Sequence, residues 1–213
     1  PATPSRFIGR HAGAPVFREG PAAPPRLGIQ LAIEAATEAL ADAGLGSDLL
    51  DPERTGCVIG TSKGDIRGMA ALAHPDTVPT TDSQIDWLDV FPNAPAFQVA
   101  SQLGILGPVL SPVAACATGL TCAVRAVELI RRGDCDLVLC GSSDTSLCDS
   151  VLASFARLGV LAKGFQDPAT ACRPFDRNRS GFLVGEGATV LVLESEETAR
   201  ERPIHHALKL SLG

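Results

Sequence analysis

The sequence predicts an α/β fold, and two observations predict it. First, short apolar runs recur at Thr55–Thr61, Asp136–Gly141 and Ala188–Glu194. Near-continuous apolar character over so few residues marks strands buried on both faces. Second, the apolar run Val109–Val113, a helical pattern and the run Asp136–Gly141 follow one another through short turns. A strand–helix–strand unit connected in this way makes a parallel, right-handed crossover.

The elements follow in order. Residues 1–26 are rich in proline, glycine and arginine and have little periodicity, which reads as an irregular surface segment. A helix runs from Leu27 to Ala43, with Leu27, Leu31, Ala35, Glu38, Ala39 and Asp42 tracing its faces and Gly44 ending it. Thr55–Thr61 is a buried strand. Ser62–Gly68 superficially suggests a phosphate loop. The glycine spacing before Lys63 does not match, so no nucleotide site is expected. Residues 74–96 hold four prolines, with Trp87 and Phe91 between them. They read as a long loop with one helical turn, either a functional loop or a packing flap anchored by Trp87 and Phe91.

Phe97–Gly104 reads as a short helix and Val109–Val113 as a strand. Leu120, Ala123, Val124, Val127 and Ile130 then recur at three- and four-residue spacing, the mark of a helix. Arg131 and Arg132 suit its C-terminal turn and Gly133 its end. Ser142–Asp149 is polar and loop-like. Val151–Leu158 is helical and Gly159 breaks it. Lys163–Arg179 is a charged loop, Ala188–Glu194 a strand, Glu194–Arg202 a charged tail and Ile204–Leu212 a further strand.

Composition narrows the function classes. At 213 residues and 45% hydrophobic, the chain suits one domain or two small ones with a sizeable core. Net charge is −6 with no basic stripe, which argues against nucleic acid as a partner. The seven cysteines are odd in number and irregularly spaced, without a Cys-x-x-Cys pair. The four histidines, His11, His74, His205 and His206, do not cluster with them, so no metal site is expected. Reduced cysteines point to a cytoplasmic setting. No apolar run approaches the ~20 residues that span a bilayer, and Pro-Ala-Thr-Pro-Ser at the start lacks a secretory apolar core.

The stretch Ser111-Pro-Val-Ala-Ala-Cys116-Ala-Thr-Gly-Leu120 carries the chemistry. It places Cys116 at or next to the first turn of a helix. A thiol is nucleophilic only as thiolate, and a helix N-terminus favours that form. The unpaired N–H groups of the first turn can hold a developing oxyanion. Ala115, Ala117 and Gly119 leave room for a substrate carbonyl. Local chemistry leaves two readings open, a nucleophile or a buried structural cysteine.

Two blocks carry a family resemblance. The first is Ala115-Cys116-Ala-Thr-Gly with the helix after it and Gly133-Asp-Cys-Asp-Leu-Val-Leu-Cys-Gly141. The second is Arg173-Pro-Phe-Asp-Arg-Asn-Arg-Ser-Gly-Phe182, with Val184-Gly-Glu-Gly187 and Val190-Leu-Val-Leu-Glu194. Together they resemble a β-ketoacyl synthase, of the thiolase-like superfamily. The resemblance implies the N-terminal half of a thiolase-like αβαβα sandwich, with residues 1–213 as a partial domain. It implies Cys116 as the acyl-accepting residue, in decarboxylative condensation with malonyl-acyl carrier protein in fatty-acid or polyketide synthesis. It also implies substrates carried on a phosphopantetheine arm with no further cofactor or metal, an acyl carrier protein partner, no membrane, and a homodimer pairing through Val109–Val113. The family's first strand, its two catalytic histidines and the lysine near the second have no counterpart here. The resemblance therefore implies that this chain alone is inactive in condensation, and that it exposes a large apolar patch.

The remaining candidates are weighed beside this one. Arg173, Asp176, Arg177 and Arg179 suit either an anionic substrate or a salt-bridge network pinning the loop beside Glu186, and the structural role is preferred. Glu186, between glycines, reads as a buried, paired carboxylate. Asp144 and Asp149 flank a serine-rich loop and could suggest a hydrolase with Ser142 or Ser143, but no Gly-x-Ser-x-Gly elbow is present, so these are surface loop residues. His205 and His206 would point to opposite faces of a strand and cannot share a site. The rival functions are a non-catalytic partner subunit of the same fold, a thiolase acting on coenzyme A esters, and an interaction module with an inert cysteine.

Overall fold

The computed structural model describes residues 26–46, 51–73, 86–167 and 170–200. Four strands form one sheet: β1 (Thr55–Gly60), β2 (Val109–Leu110), β3 (Leu137–Thr145) and β4 (Glu186–Glu194). Their order is β2-β1-β3-β4. β1 runs parallel to both β2 and β3, and β4 runs antiparallel to β3. The helices are α1 (Leu27–Asp42), α2 (Ile66–Ala73), α3 (Ala94–Leu103), α4 (Thr118–Arg132), α5 (Asp149–Leu158) and α6 (Glu196–Arg200). The crossover β2–α4–β3 therefore passes over β1, as the parallel strand–helix–strand pattern requires.

Alternation along the strands divides the core into two layers. Cys57 and Ile59 of β1 face α1 and α3, packing with Ala32, Ala36, Ala39, Leu40 and Val99. Val58 faces the other way, onto Cys122, Ala126, Leu129 and Ile130 of α4. The alanines of α1 let that helix sit close to the sheet. At the entry end of β1 and β3, Arg54 grips Asp136 through two bonds of 2.9 and 2.7 Å. The hydrogen-bonded guanidinium holds the Asp136 carboxyl below its usual range.

Several expected elements differ. β2 keeps only two of the residues in Val109–Val113. α2 is an element not expected above, although Ile66, Met69, Ala70 and Ala73 recur at helical spacing, and α3 begins at Ala94, with Pro95 in its first turn where a missing N–H is tolerated. β3 continues through Ser142–Thr145, a stretch whose polarity suggested a loop. Its polar side chains are paired inside the fold: Ser143 Oγ donates to the Gly28 carbonyl at 2.6 Å. Glu194 closes β4 and is buried rather than opening a charged tail, and residues 196–200 form the short helix α6. Trp87 and Phe91 meet edge-to-face at 5.6 Å, and both are exposed. Asp89 and Val90 are the buried residues of that turn, and Arg26 holds Asp89 at 3.0 Å. The rest of the loop at 74–85, the strand expected at Ile204–Leu212 and all four histidines lie outside the described residues.

α4 is also turned from its expected face. Val127 and Ile130 are buried as the spacing implies, but Leu120 is 72% and Val124 49% exposed. The buried stripe is Cys122, Ala126, Leu129 and Ile130. Leu120 and Val124 make a second apolar stripe, and Val109 and Val113 are exposed as well. These four side chains stay open to solvent.

The β3–β4 ladder supplies a test. A Cβ on Gly141 would lie 1.9 Å from the carbonyl oxygen of Thr189. Gly141→Ala is expected to destabilise the fold by about 1–3 kcal/mol. Gly185→Ala, which meets nothing within 4 Å, should stay within about 0.5 kcal/mol of the parent. Urea unfolding midpoints of the two variants check both.

Candidate active site around Cys116

After β2 the chain bends back into a 3-10 turn, Ala115–Ala117, and α4 starts at Thr118. Thr118 is buried and ties this turn. Its Oγ1 accepts from the Ala114 N–H at 2.9 Å and donates to the Ala115 carbonyl at 2.7 Å. Between those two bonds Ala115 has φ 49. That conformation costs a residue with a Cβ about 1–3 kcal/mol, and Thr118 holds it from both sides. Cys116 follows directly and is exposed.

The turn rests on the sheet through glycines. A Cβ on Gly60 would lie 2.2 Å from the Pro112 carbonyl oxygen and 2.5 Å from Thr118 Cγ2. Only glycine at the end of β1 lets the Cys116 turn settle there. Gly119 faces Ser142 of β3, whose Oγ would be 3.0 Å from an added Cβ. Its small size therefore serves helix-to-strand packing.

Cys116 lies at the start of an uncapped helix. No side chain caps α4, and its first turn holds no acid. The preceding turn takes up leading amides, Ala117 N–H donating to the Ala114 carbonyl and Thr118 N–H to the Ala115 carbonyl, while the positive end of the helix dipole still lies beside the thiol. The other cysteines differ. Burial pushes the thiol of Cys57 up to about 12 and those of Cys122 and Cys135 up to about 11. Cys140 is pushed up further, again by burial. Cys148 is half-buried and precedes α5, whose first residue is the acid Asp149. Cys172 is exposed in the loop before β4. Cys116 is thus the accessible thiol at the head of a long, acid-free helix start, and the buried alternative for this residue does not hold.

The other candidates are placed elsewhere. Asp144 is not an exposed loop residue: it is the last but one residue of β3 and takes bonds from Ser62, Lys63 and Ser146. Lys63 Nζ also donates to Ser146 Oγ at 2.6 Å. Nothing in the spacing around Lys63 marks this cluster. The signal lies in the register: Gly60 pairs with Ser142, so two residues on, Ser62 meets Asp144. Ser143 is buried, and Ser142 faces α4, so no hydrolase arrangement forms. Glu186 is paired, as its setting implies, but with Arg67 of α2 and the Leu147 N–H at 2.9 Å. Arg173 and Arg179 instead donate to the Asn178 and Asp176 carbonyls, and the network expected beside Glu186 is absent among the described residues.

Among the described residues, no group of three or more His, Cys, Asp or Glu side chains could hold a metal ion, and no helix is long and apolar enough to cross a membrane. The β-ketoacyl synthase N-terminal domain matches residues 26–199. The chain belongs to the β-ketoacyl synthase family. It is 37% identical, over 83% of its length, to the tetracenomycin polyketide synthase ketoacyl synthase alpha subunit of Streptomyces glaucescens. It is 36% identical, over 81% of its length, to a 3-oxoacyl-[acyl-carrier-protein] synthase 2 of Staphylococcus aureus. In each case it spans 43% of the relative's length. Among solved structures, it resembles a chain from a type II polyketide synthase acyl-carrier protein in complex with its ketosynthase bound to the hexaketide. That likeness has a TM-score of 0.78 at 32% identity, covering 86% of this chain and 47% of the other. The fold is the thiolase-like layered α/β architecture of these ketosynthases, and the described residues supply its N-terminal half. Both sequence blocks behind the resemblance lie inside the matched range.

Two measurements probe the cysteines. Native alkylation near neutral pH should modify Cys116 and leave Cys57, Cys122, Cys135 and Cys140 untouched. Gly60→Ala should slow labelling at Cys116 severalfold by displacing its turn; peptide mass spectrometry reads both. The second is pH dependence. Unfolding releases the buried thiols to ionise near ~8.5, whereas the folded chain keeps those of Cys57, Cys122 and Cys135 protonated to about 12, 11 and 11. Above pH ~8.5 the unfolded state binds fewer protons, so stability should fall as pH rises towards 11. The chain has no tyrosine to add to this window, and urea midpoints at pH 8 and 10 measure the fall.

Proposed function

We propose that this chain supplies the nucleophile-bearing half of a β-ketoacyl synthase, with Cys116 as the acyl-accepting residue. One observation carries the reading: an exposed thiol at the uncapped start of α4, on a turn held by Thr118 and seated on Gly60. The Cys116 thiolate attacks the thioester carbonyl of an acyl chain borne on a carrier protein. The carbonyl oxygen becomes an oxyanion, held by the Cys116 N–H and further amide donors. The intermediate collapses, the carrier's phosphopantetheine thiol leaves, and the acyl group stays on Sγ. A malonyl-carrier thioester then loses carbon dioxide, and the resulting enolate attacks the acyl-cysteine. The carbon–carbon bond forms, the Cys116 thiolate leaves, and the product is a 3-oxoacyl thioester two carbons longer. Splitting the reaction at a covalent intermediate replaces one difficult step with two easier ones.

The remaining assignments follow from this reading. The carrier protein is the partner, supported by the acyl-carrier protein complex among the similar structures. Its phosphopantetheine arm brings the substrate, and no other cofactor is called on. Residues 1–213 belong to one ketosynthase N-terminal domain. A homodimer forms through β2, which lies at the sheet edge with Val109 exposed. The setting is cytoplasmic, where the cysteines stay reduced; none of the seven is paired.

The test uses the intact protein and acyl-carrier protein. Mass spectrometry should find the acyl adduct on Cys116. Cys116→Ala should show no adduct there and lose at least about 10³-fold in condensation rate. An adduct seated on Cys148 or Cys172 instead would overturn the assignment.

A further inference from the structure

We infer that Lys63 and Arg67 are positioning residues that clamp, by charge, the long excursion between β3 and β4. The chain leaves the sheet at Thr145 and returns at Glu186, and those two residues pair with each other. From Val151 up to the start of β4, only Val151 and Ala171 are buried among the described residues. The internal contacts of the excursion are largely its own. Phe155 meets Phe182 at 5.4 Å. The Lys163 N–H donates to Ser180 Oγ at 2.9 Å, and Ser180 Oγ donates back to the Lys163 carbonyl at 2.8 Å. So little buried apolar area gives the excursion weak hydrophobic attachment to the sheet.

Polar contacts at its two stems make up the difference. Lys63 Nζ reaches both carboxylate oxygens of Asp144 at 3.2 Å, Ser146 Oγ at 2.6 Å and Ser62 Oγ. Arg67, one helical turn further on, pairs with Glu186 on the returning stem and donates to the Leu147 carbonyl at 3.4 Å. Glu186 in turn accepts the Leu147 N–H. One short segment therefore grips both the outgoing stem, 144–147, and the returning residue 186. The Lys63–Asp144 side chains are 30% and 34% exposed, and the Arg67–Glu186 pair 17% and 13%. The first pair is open to screening by salt and the second much less so. The clamp sits beside the Cys116 turn, since Ser142, two residues before Asp144, packs against Gly119. A serine–lysine nucleophile is not formed here. Lys63 is ion-paired with Asp144, and Ser62 donates to that same carboxylate.

Hydrogen exchange on the intact protein tests the clamp at 0.05 and 1 M NaCl. Lys63→Gln should speed exchange at least tenfold in peptides covering 147–167 and 170–185, and less than twofold in α4 and β1. Lys63→Arg, which keeps the charge, should restore most of the protection. Arg67→Gln should act on the same peptides. Salt should speed exchange there in the parent but not in Lys63→Gln. Unchanged exchange in both glutamine variants overturns the proposal, and so does equal acceleration across α1, α4 and β1. Should Lys63→Gln fail to fold, the salt response of the parent decides: a salt-independent excursion refutes a clamp built on charge.

Discussion

The close seat of the Cys116 turn on the end of β1 is the constraint from which the rest of the site follows. Pro112, Thr118 and Cys122 all crowd the space where Gly60 would carry a side chain. With that space empty, Thr118 can bury its methyl against the strand and spend its hydroxyl on the backbone either side of Ala115. A left-handed alanine is then tolerable, because two hydrogen bonds of about 1 kcal/mol each offset a strain of similar size. The consequence is directional. The chain enters α4 at an angle that leaves Cys116 in solvent while Thr118 and Cys122 are buried against the sheet. A glycine on the strand thus sets the exposure of a sulfur on the helix.

The same burial that builds the core sorts the cysteines. Cys57, Cys122 and Cys140 lie where the sheet meets its helix layers, and burial keeps those thiols neutral far above physiological pH. They behave there as small apolar side chains. Cys122 is only two helical turns or less from Cys116 in sequence, yet it faces the sheet. Cys116 in the turn before α4 is therefore exposed, while Cys122 inside the helix is buried against the sheet.

The sequence made legible what depends on period and punctuation. Gly44, Gly133 and Gly159 end their helices where spacing placed them, and β1, β3 and β4 start from the apolar runs. The junction at Cys116 was readable because a strand run and a helix run abut there. Legibility failed where tertiary pairing outweighed local polarity. Ser142–Thr145 looked like a loop, since three of those four side chains bear hydroxyl groups and the other a carboxylate; their partners, Gly28, Lys63 and Ser146, are far apart in sequence or beyond the pattern. Glu186 was rightly seen as paired, but Arg67 lies 119 residues away. The orientation of α4 was misjudged for a related reason. It carries apolar residues on two sides, and a single period cannot say which side meets the sheet.

Those two sides bear on what kind of object this half is. One stripe of α4 is spent on Val58, Val138 and Leu193; the other, Leu120 and Val124, faces outward with Val109 and Val113 nearby in the chain. In a self-sufficient domain the outer face of such a helix would be polar, because each exposed leucine or valine forgoes about 1.5–3 kcal/mol of burial. An apolar outer stripe on the helix that also carries Cys116 means that whatever covers it lies beside the thiol. Whatever seats on that stripe would remove water from the start of α4 and from its apolar face together.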